Sequence, residues 1–420
     1  MTETFEINGV TVANIKNKSN IALFGIAVLA GSNYETPDIA GIAHFAEHCY
    51  FKQTKSRNAK QINEEFAKLG VNYNAWTDNT EIFYHSTCPK ENTSKVIALM
   101  MDLFFNSTYP EDEIEKERGV IIEEKKMSED DHRSFFGTQI GDKFFQWNIG
   151  HETLGTFETI NSINRNQIIN YLNSKISPPN MVFICCGDID SADLKKYIQD
   201  NMPIEHIYTN TKRIGTNDMT GGCWTDLINK PEKIKLVVER EGITQATIHM
   251  LMPYVSGLDP FYYHSNVIAE ALGGGLYSLL GSRIRQEMGL CYVIGAYGHC
   301  MSYPDIRTFN IYSSVATENV MKYIEEVEKI IDNVIKNGID KDIFDCAKTD
   351  HLSSILRSTE TSAGLGCFMM NRLLKYKKGN VEDTLAKIRA VKLEECNELV
   401  KTLFSQPMSW TVMIPQGTKI

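Results

Sequence analysis

No stretch of the 420-residue chain approaches the ~20 consecutive apolar residues that span a bilayer, so no membrane helix is expected. Cysteine occurs ten times but never as a CxxC pair, and the first residues (MTETFEINGVTV) hold neither a basic segment nor an apolar signal core. Together these absences predict a reducing, cytoplasmic setting with free thiols. The net charge of −10 leaves no basic patch for nucleic acid, while an acidic cavity that attracts basic peptides stays open. Gly273 to Gly275 lack the GK[ST] of a phosphate loop, and no low-complexity tract interrupts the chain.

What is present is a large apolar fraction, 42% hydrophobic with 10% aromatic, enough to bury extensive cores in two domains or more. Strand-like segments at 5–15 and 20–31 open the chain, the second apolar enough to be buried on both faces. Helices are expected near 58–69, from 91 to about 145 and near 165–174, with strands near 71–77, 81–87 and 181–187. The adjacent Cys185 and Cys186 lie in that last apolar strand and suit core packing. The second half repeats the order, with strands near 233–240, 244–252, 291–299 and 306–314, helices near 260–288 and out to about 403, and a final strand at Trp410. The expected organisation is an N-terminal domain at 1–205, a glycine- and proline-containing linker at 206–232 and a C-terminal domain at 233–420. The fold class is α+β: two structurally similar domains, each a mixed, mostly antiparallel sheet with helices packed on one face.

The chemistry is concentrated in His44-Phe45-Ala46-Glu47-His48. On a helix of 3.6 residues per turn, His44 and His48 lie about 40° apart, and Glu47 falls beside them. One ion can therefore touch both imidazoles. Zinc takes histidine nitrogen readily, and a catalytic zinc site keeps three protein ligands and leaves a fourth position to water, which Glu47 can deprotonate. The neighbours Ile42, Ala43, Phe45, Ala46, Cys49, Tyr50 and Phe51 make the helix mostly buried, where ionisable groups without a partner are unfavourable. The third ligand is expected on the helix signalled by Glu111 to Glu124. There Glu117, Val120, Ile121 and Glu124 share an i, i+3, i+4, i+7 stripe. Glu124 is the better ligand candidate than Glu123, which turns toward Lys116, Gly119 and Lys126. Glu117, two turns earlier, could orient a histidine or the water from outside the ligand set.

These segments resemble the pitrilysin/insulinase family of zinc peptidases, in particular the short-chain branch related to the mitochondrial processing peptidase. The motif is the inverse of HExxH, and the family places its glutamate ligand roughly 75 residues after the second histidine. Glu124 stands 76 positions after His48. Gly41 to Lys52 follows the family's motif segment, departing mainly at Ala46 and Cys49. The resemblance extends through Asn74-Ala75-Trp76-Thr77, Pro179 to Asp188, Leu272 to Gly275 and Arg285 to Tyr292.

The resemblance implies a metalloendopeptidase with one Zn2+ per chain, held by His44, His48 and Glu124, with Glu117 behind them and Glu47 as general base. It further implies that Arg285 and Tyr292 stabilise the tetrahedral oxyanion. A peptide or unfolded protein segment would be laid as a strand beside Asn74 and Ala75, inside a closed chamber. A homodimer is implied in which Arg285 and Tyr292 of one subunit complete the site of the other, with no nucleic-acid or membrane partner. The alternative reading is a non-catalytic assembly or regulatory metal-binding subunit of the same fold.

Overall fold

A computed structural model describes residues 2–203, 233–255, 259–302 and 306–420; the linker expected at 206–232 lies outside the described residues. Strand β1 (Thr2–Ile7) turns into β2 (Val10–Lys16) through Asn8-Gly9, both at positive φ of 48° and 78°. The single strand expected over 5–15 is therefore a hairpin. Asn-Gly is the usual signal for such a two-residue turn because both central residues need left-handed backbone. Strands β3 (Ile21–Val28), β4 (Asn72–Thr77), β5 (Ile82–Pro89) and β6 (Met181–Gly187) complete the first sheet, in the order β1-β2-β6-β3-β5-β4. The β2–β6 pair is parallel and the other pairs are antiparallel.

The second sheet is built from β7 (Ile234–Arg240), β8 (Ala246–Pro253), β9 (Cys291–Ser302), β10 (Ile306–Val315) and β11 (Ser409–Pro415), ordered β7-β11-β8-β10-β9. Its parallel pair is β11–β7. In each sheet the last strand in sequence, β6 or β11, sits between two earlier strands, parallel to one and antiparallel to the other, so the two halves of the chain share one α+β architecture.

Strand β3 shows why both faces of the first sheet need cover. Side chains alternate along a strand, and here both sets are apolar: Ala22, Phe24, Ile26 and Val28 join one core, Leu23, Ala27 and Leu29 the other. The first core is roofed by the helices Ile42–Cys49, Thr93–Asn106, Arg165–Lys175 and Ser191–Asn201. The second is roofed by Met369, Met370, Leu373 and Leu374 of the helix Ser362–Tyr376. A buried ion pair, Lys375 Nζ to a Glu81 carboxylate oxygen at 2.9 Å, fastens that helix.

The second sheet is treated in the same way. One face packs on Val267, Ile268 and Leu272 of the helix Tyr262–Gly273 and on Tyr323, Ile324 and Val327 of the helix Val320–Asn337. On the other, Leu251 and Met413 meet Phe136, Ile140 and Phe144 of the helix His132–Phe144. Helices thus cover both faces of each sheet. By contact, residues 129–150 belong to the compact unit of the second sheet and 357–381 to that of the first. Sequence order hides this exchange, because each segment is amphipathic wherever it docks. Among the described residues, no helix is long and apolar enough to cross a membrane.

If the helix Ser362–Tyr376 is part of the first unit, Leu374→Ala should destabilise that unit by about 2–5 kcal/mol, the usual range for a fully buried leucine. Leu356→Ala, at a side chain 52% exposed, should stay within about 0.5 kcal/mol. Urea unfolding of both variants measures the difference.

Candidate metal centre

The helix Ile42–Cys49 starts from Gly41, whose φ of 89° is left-handed. A Cβ there would lie 2.5 Å from the Leu154 carbonyl oxygen, so glycine is required both by conformation and by space. Ile42, Ala43, Phe45, Ala46 and Cys49 are buried, and His44 is buried with them. The expected helix face is thereby realised, with the imidazoles embedded at the margin of an apolar layer.

His44 Nε2 and His48 Nε2 are 3.2 Å apart. Glu124 Oε2 lies 3.6 Å from the first and 3.3 Å from the second. Four ligands at 2.0–2.1 Å from one ion in tetrahedral array are separated by roughly 3.3 Å from one another. The three donor atoms already have the spacing of three corners of such a tetrahedron, so these residues fit a zinc ion. Among the described residues no other group of three His, Cys, Asp or Glu side chains converges in this way.

The helix Glu111–Asp130 presents Glu117, Ile121 and Glu124 inward, whereas Val120, expected on the same stripe, is 50% exposed. Ile121 alone anchors that part of the stripe, because helical residues one position apart diverge by about 100°. Glu123 points away and pairs with Lys126 at 2.7 Å. Glu117 Oε2 meets His48 Nδ1 at 3.0 Å, and its other oxygen receives Lys52 Nζ at 2.6 Å. A carboxylate behind a metal-binding imidazole fixes the ring's tautomer and orientation. Lys52 was not legible in the sequence, since a lysine four residues past a motif carries no signal of where its flexible stem will reach. Thr77, at the end of β4, donates from Oγ1 to Glu47 Oε2 at 3.2 Å. Its partner on the motif helix was likewise invisible before the strand was placed.

Burial, and then the neighbouring His48, push the His44 imidazole down to about 4. Burial opposes charge on His48 too, but the hydrogen bonds that its ring donates to Glu117 and Glu124 and the charge of Glu47 prevail and push it up to about 9. Glu47 is raised by burial, and Glu124 is lowered chiefly by its bond to His48. Glu117 is lowered as well, its bonds to His48 and Lys52 outweighing burial.

Asn74 and Ala75 lie on β4, which is an edge of the first sheet. Asn74 Oδ1 accepts the Ala75 N–H at 2.9 Å. Arg285 and Tyr292 belong to the second unit, on the π-helical turn Gly281–Glu287 and at the start of β9. The guanidinium lies 4.8 Å from the centroid of the Tyr292 ring, which is 80% exposed. Cys185 and Cys186 are buried free thiols on β6.

The fold is zinc-protease-like and carries the His44-His48-Glu124 cluster, and comparison with known proteins agrees on the family. Residues 11–156 match the model described as Insulinase (Peptidase family M16), and residues 162–350 match that of the Peptidase M16 inactive domain. The chain belongs to the M16, or insulinase, peptidase family. It is 27% identical over 417 residues to the uncharacterized zinc protease YmxG of Bacillus subtilis (strain 168), covering 98% of this chain and 97% of that one. An uncharacterized zinc protease of Rickettsia bellii (strain RML369-C) is 28% identical over 378 residues, covering 86% of each chain. In structure, a protease from Helicobacter pylori superposes with a TM-score of 0.86 at 18% identity, over 99% of this chain and 100% of that one. A putative M16-like peptidase from Alicyclobacillus acidocaldarius gives 0.82 at 18% identity, over 99% and 98%.

The raised pKa of His48 gives a test of zinc binding there. If His48 is a zinc ligand it must be unprotonated in the complex, so zinc entering the site at about pH 7 to 8 should displace about one proton, and its affinity should rise about tenfold per pH unit up to about pH 9. Calorimetry in buffers of different ionisation enthalpy counts the released protons. A value near zero at neutral pH would show that His48 is not charged before metal binds.

Proposed function

We propose that this protein is a zinc-dependent endopeptidase that hydrolyses unfolded peptides or flexible protein segments, with His44, His48 and Glu124 as the metal ligands. The observation that carries this reading is Glu47, a half-buried carboxylate beside three converging ligand atoms yet not one of them. A purely structural or regulatory metal site would have no use for it. Zinc, when bound, supplies Lewis-acid activation that lowers the pKa of water from about 15.7 towards about 7.

Glu47 serves as the general base. Its raised pKa suits a group that takes a proton from water and passes it to the leaving amine. Thr77 holds one carboxylate oxygen, which fixes the direction in which the other faces. Glu117, with Lys52 behind it, keeps His48 aligned. The substrate enters as an added strand on the edge strand β4, where main-chain hydrogen bonds bind without regard to sequence. There the Asn74 side chain shields the Ala75 N–H until a peptide displaces it. Because β4 also carries Thr77, a peptide on this edge is aligned against the strand that orients the base. The exposed Tyr292 phenol and the Arg285 guanidinium stacked on it are suitable donors to the oxyanion of the tetrahedral intermediate. We assign them to the site of a second copy of the chain in a homodimer, with one zinc ion per subunit.

Glu47→Gln should retain zinc and the fold while lowering turnover of an unfolded peptide by at least ~10²-fold. Wild-type turnover by the zinc-loaded variant would remove Glu47 from the reaction, and a wild-type protein that binds zinc but cleaves no peptide would favour the regulatory reading. The shared-site assignment has its own test. Mixing inactive Glu47→Gln chains with inactive Arg285→Ala/Tyr292→Phe chains should restore part of the activity, because each mixed dimer contains one intact site. Verified mixed dimers without activity, alongside an active wild-type monomer, would place the whole site within one chain.

A further inference from the structure

We propose that the segment His151–Gly155 is a brace that sets the separation between the two helices carrying the metal ligands, with Glu152 and the Glu35–His151 pair as its positioning residues. This rests on reading His44, His48 and Glu124 as ligands. The chain leaves the first compact unit after Ser128 and re-enters it at His151, so the brace lies where the polypeptide returns.

Toward the motif helix, His151 Nε2 meets Glu35 Oε2 at 2.9 Å, with both side chains buried. Glu35 in turn accepts the Gly41 and Ala43 N–H groups, each at 2.8 Å. These are donors that the first turn of a helix leaves without intrahelical partners, and a carboxylate there also complements the helix dipole. The backbones are interlocked as well. A Cβ on Gly155 would lie 2.3 Å from the Ala40 carbonyl oxygen, just as one on Gly41 would meet Leu154. His44 follows Ala43 directly, so the position of the first ligand is tied to this junction.

Toward the second ligand-bearing helix, Glu152 accepts from Lys125 Nζ at 2.5 Å and from Ser128 Oγ at 3.1 Å. Lys125 is a buried lysine next in sequence to Glu124. Consecutive residues, His151 and Glu152, therefore grip different helices through polar side chains that are buried or nearly so. Buried charge-assisted bonds are directional and stronger than neutral ones, and removing one partner leaves the other uncompensated. A ligand set tolerates only about 0.5 Å of misplacement. The brace supplies that tolerance without touching the metal.

The test uses the full-length protein and reads metal binding rather than turnover. Variants are Glu152→Gln, which keeps an acceptor for Ser128, and Lys125→Met/Glu152→Met, which removes both partners of the ion pair together. Zinc affinity is measured by chelator competition and ligand geometry by the visible spectrum of the Co2+-loaded protein, with melting of the metal-free chain as a fold control. We expect the double variant to bind zinc about 10-fold more weakly, with an altered Co2+ spectrum, and Glu152→Gln to fall between it and wild type. Wild-type affinity and spectrum in both variants, whatever their melting points, would overturn the brace. If the double variant does not fold, Glu152→Gln decides by the same two readings. Wild-type protein that takes up neither ion, or Glu124→Gln that binds zinc normally, would instead refute the ligand assignment, and the brace would fall with it.

Discussion

Two imidazoles and three carboxylates, those of His44, His48, Glu47, Glu117 and Glu124, are crowded at the margin of an apolar core, and the first unit is organised around the problem this creates. Burial disfavours charge on each of them. The responses differ from residue to residue: His44 is driven toward neutrality, while His48 is kept charged by the carboxylates on either side of it. Such an arrangement contributes little to folding, because desolvation offsets most of the attraction between buried charges. A cation accepted by His44, His48 and Glu124 changes the balance, since it places positive charge where the carboxylates converge.

The histidines and their helix were legible because the signal is local. Four residues bring two side chains to one face of a helix whatever the rest of the chain does. Glu124 was legible by the same argument, and the choice against Glu123 needed only the 100° step between neighbours. What could not be read were partners whose meeting depends on tertiary packing. Thr77 comes from the edge strand, Lys52 from beyond the helix, and Glu35 with His151 from two loops more than a hundred residues apart. None of these has a periodicity.

The same distinction applies to the fold. The alternation and apolar runs of β3, β6 and β11 identified strands, and the need for cover on both faces of β3 was already visible in its composition. The identity of the cover was not. Met370 and Leu374 on the first sheet, and Phe136 and Phe144 on the second, sit on helices that follow one half of the chain in sequence and pack with the other. Amphipathic periodicity says that a helix has an apolar face, not which sheet receives it. The Asn8-Gly9 turn is a different kind of miss, because the signal was present and short enough to be absorbed into one longer strand.

The second half of the chain bears on what the charged cluster in the first half is for. The helix Tyr262–Gly273 follows β8 as the motif helix follows β3, and it covers its sheet with Val267, Ile268, Ala271 and Leu272. Its histidine, His264, pairs with Glu395 at 2.8 Å and, among the described residues, meets no second imidazole. An apolar helix is therefore sufficient to close this architecture. If the folding requirement is met without paired histidines in one unit, it does not explain them in the other, where they bring three carboxylates with them and need Glu35, Lys52 and Thr77 to be held in place. Groups that stability does not require, and that so many buried bonds are arranged to orient, are better accounted for by what they bind, and the geometry of their three nearest atoms favours a tetrahedral cation.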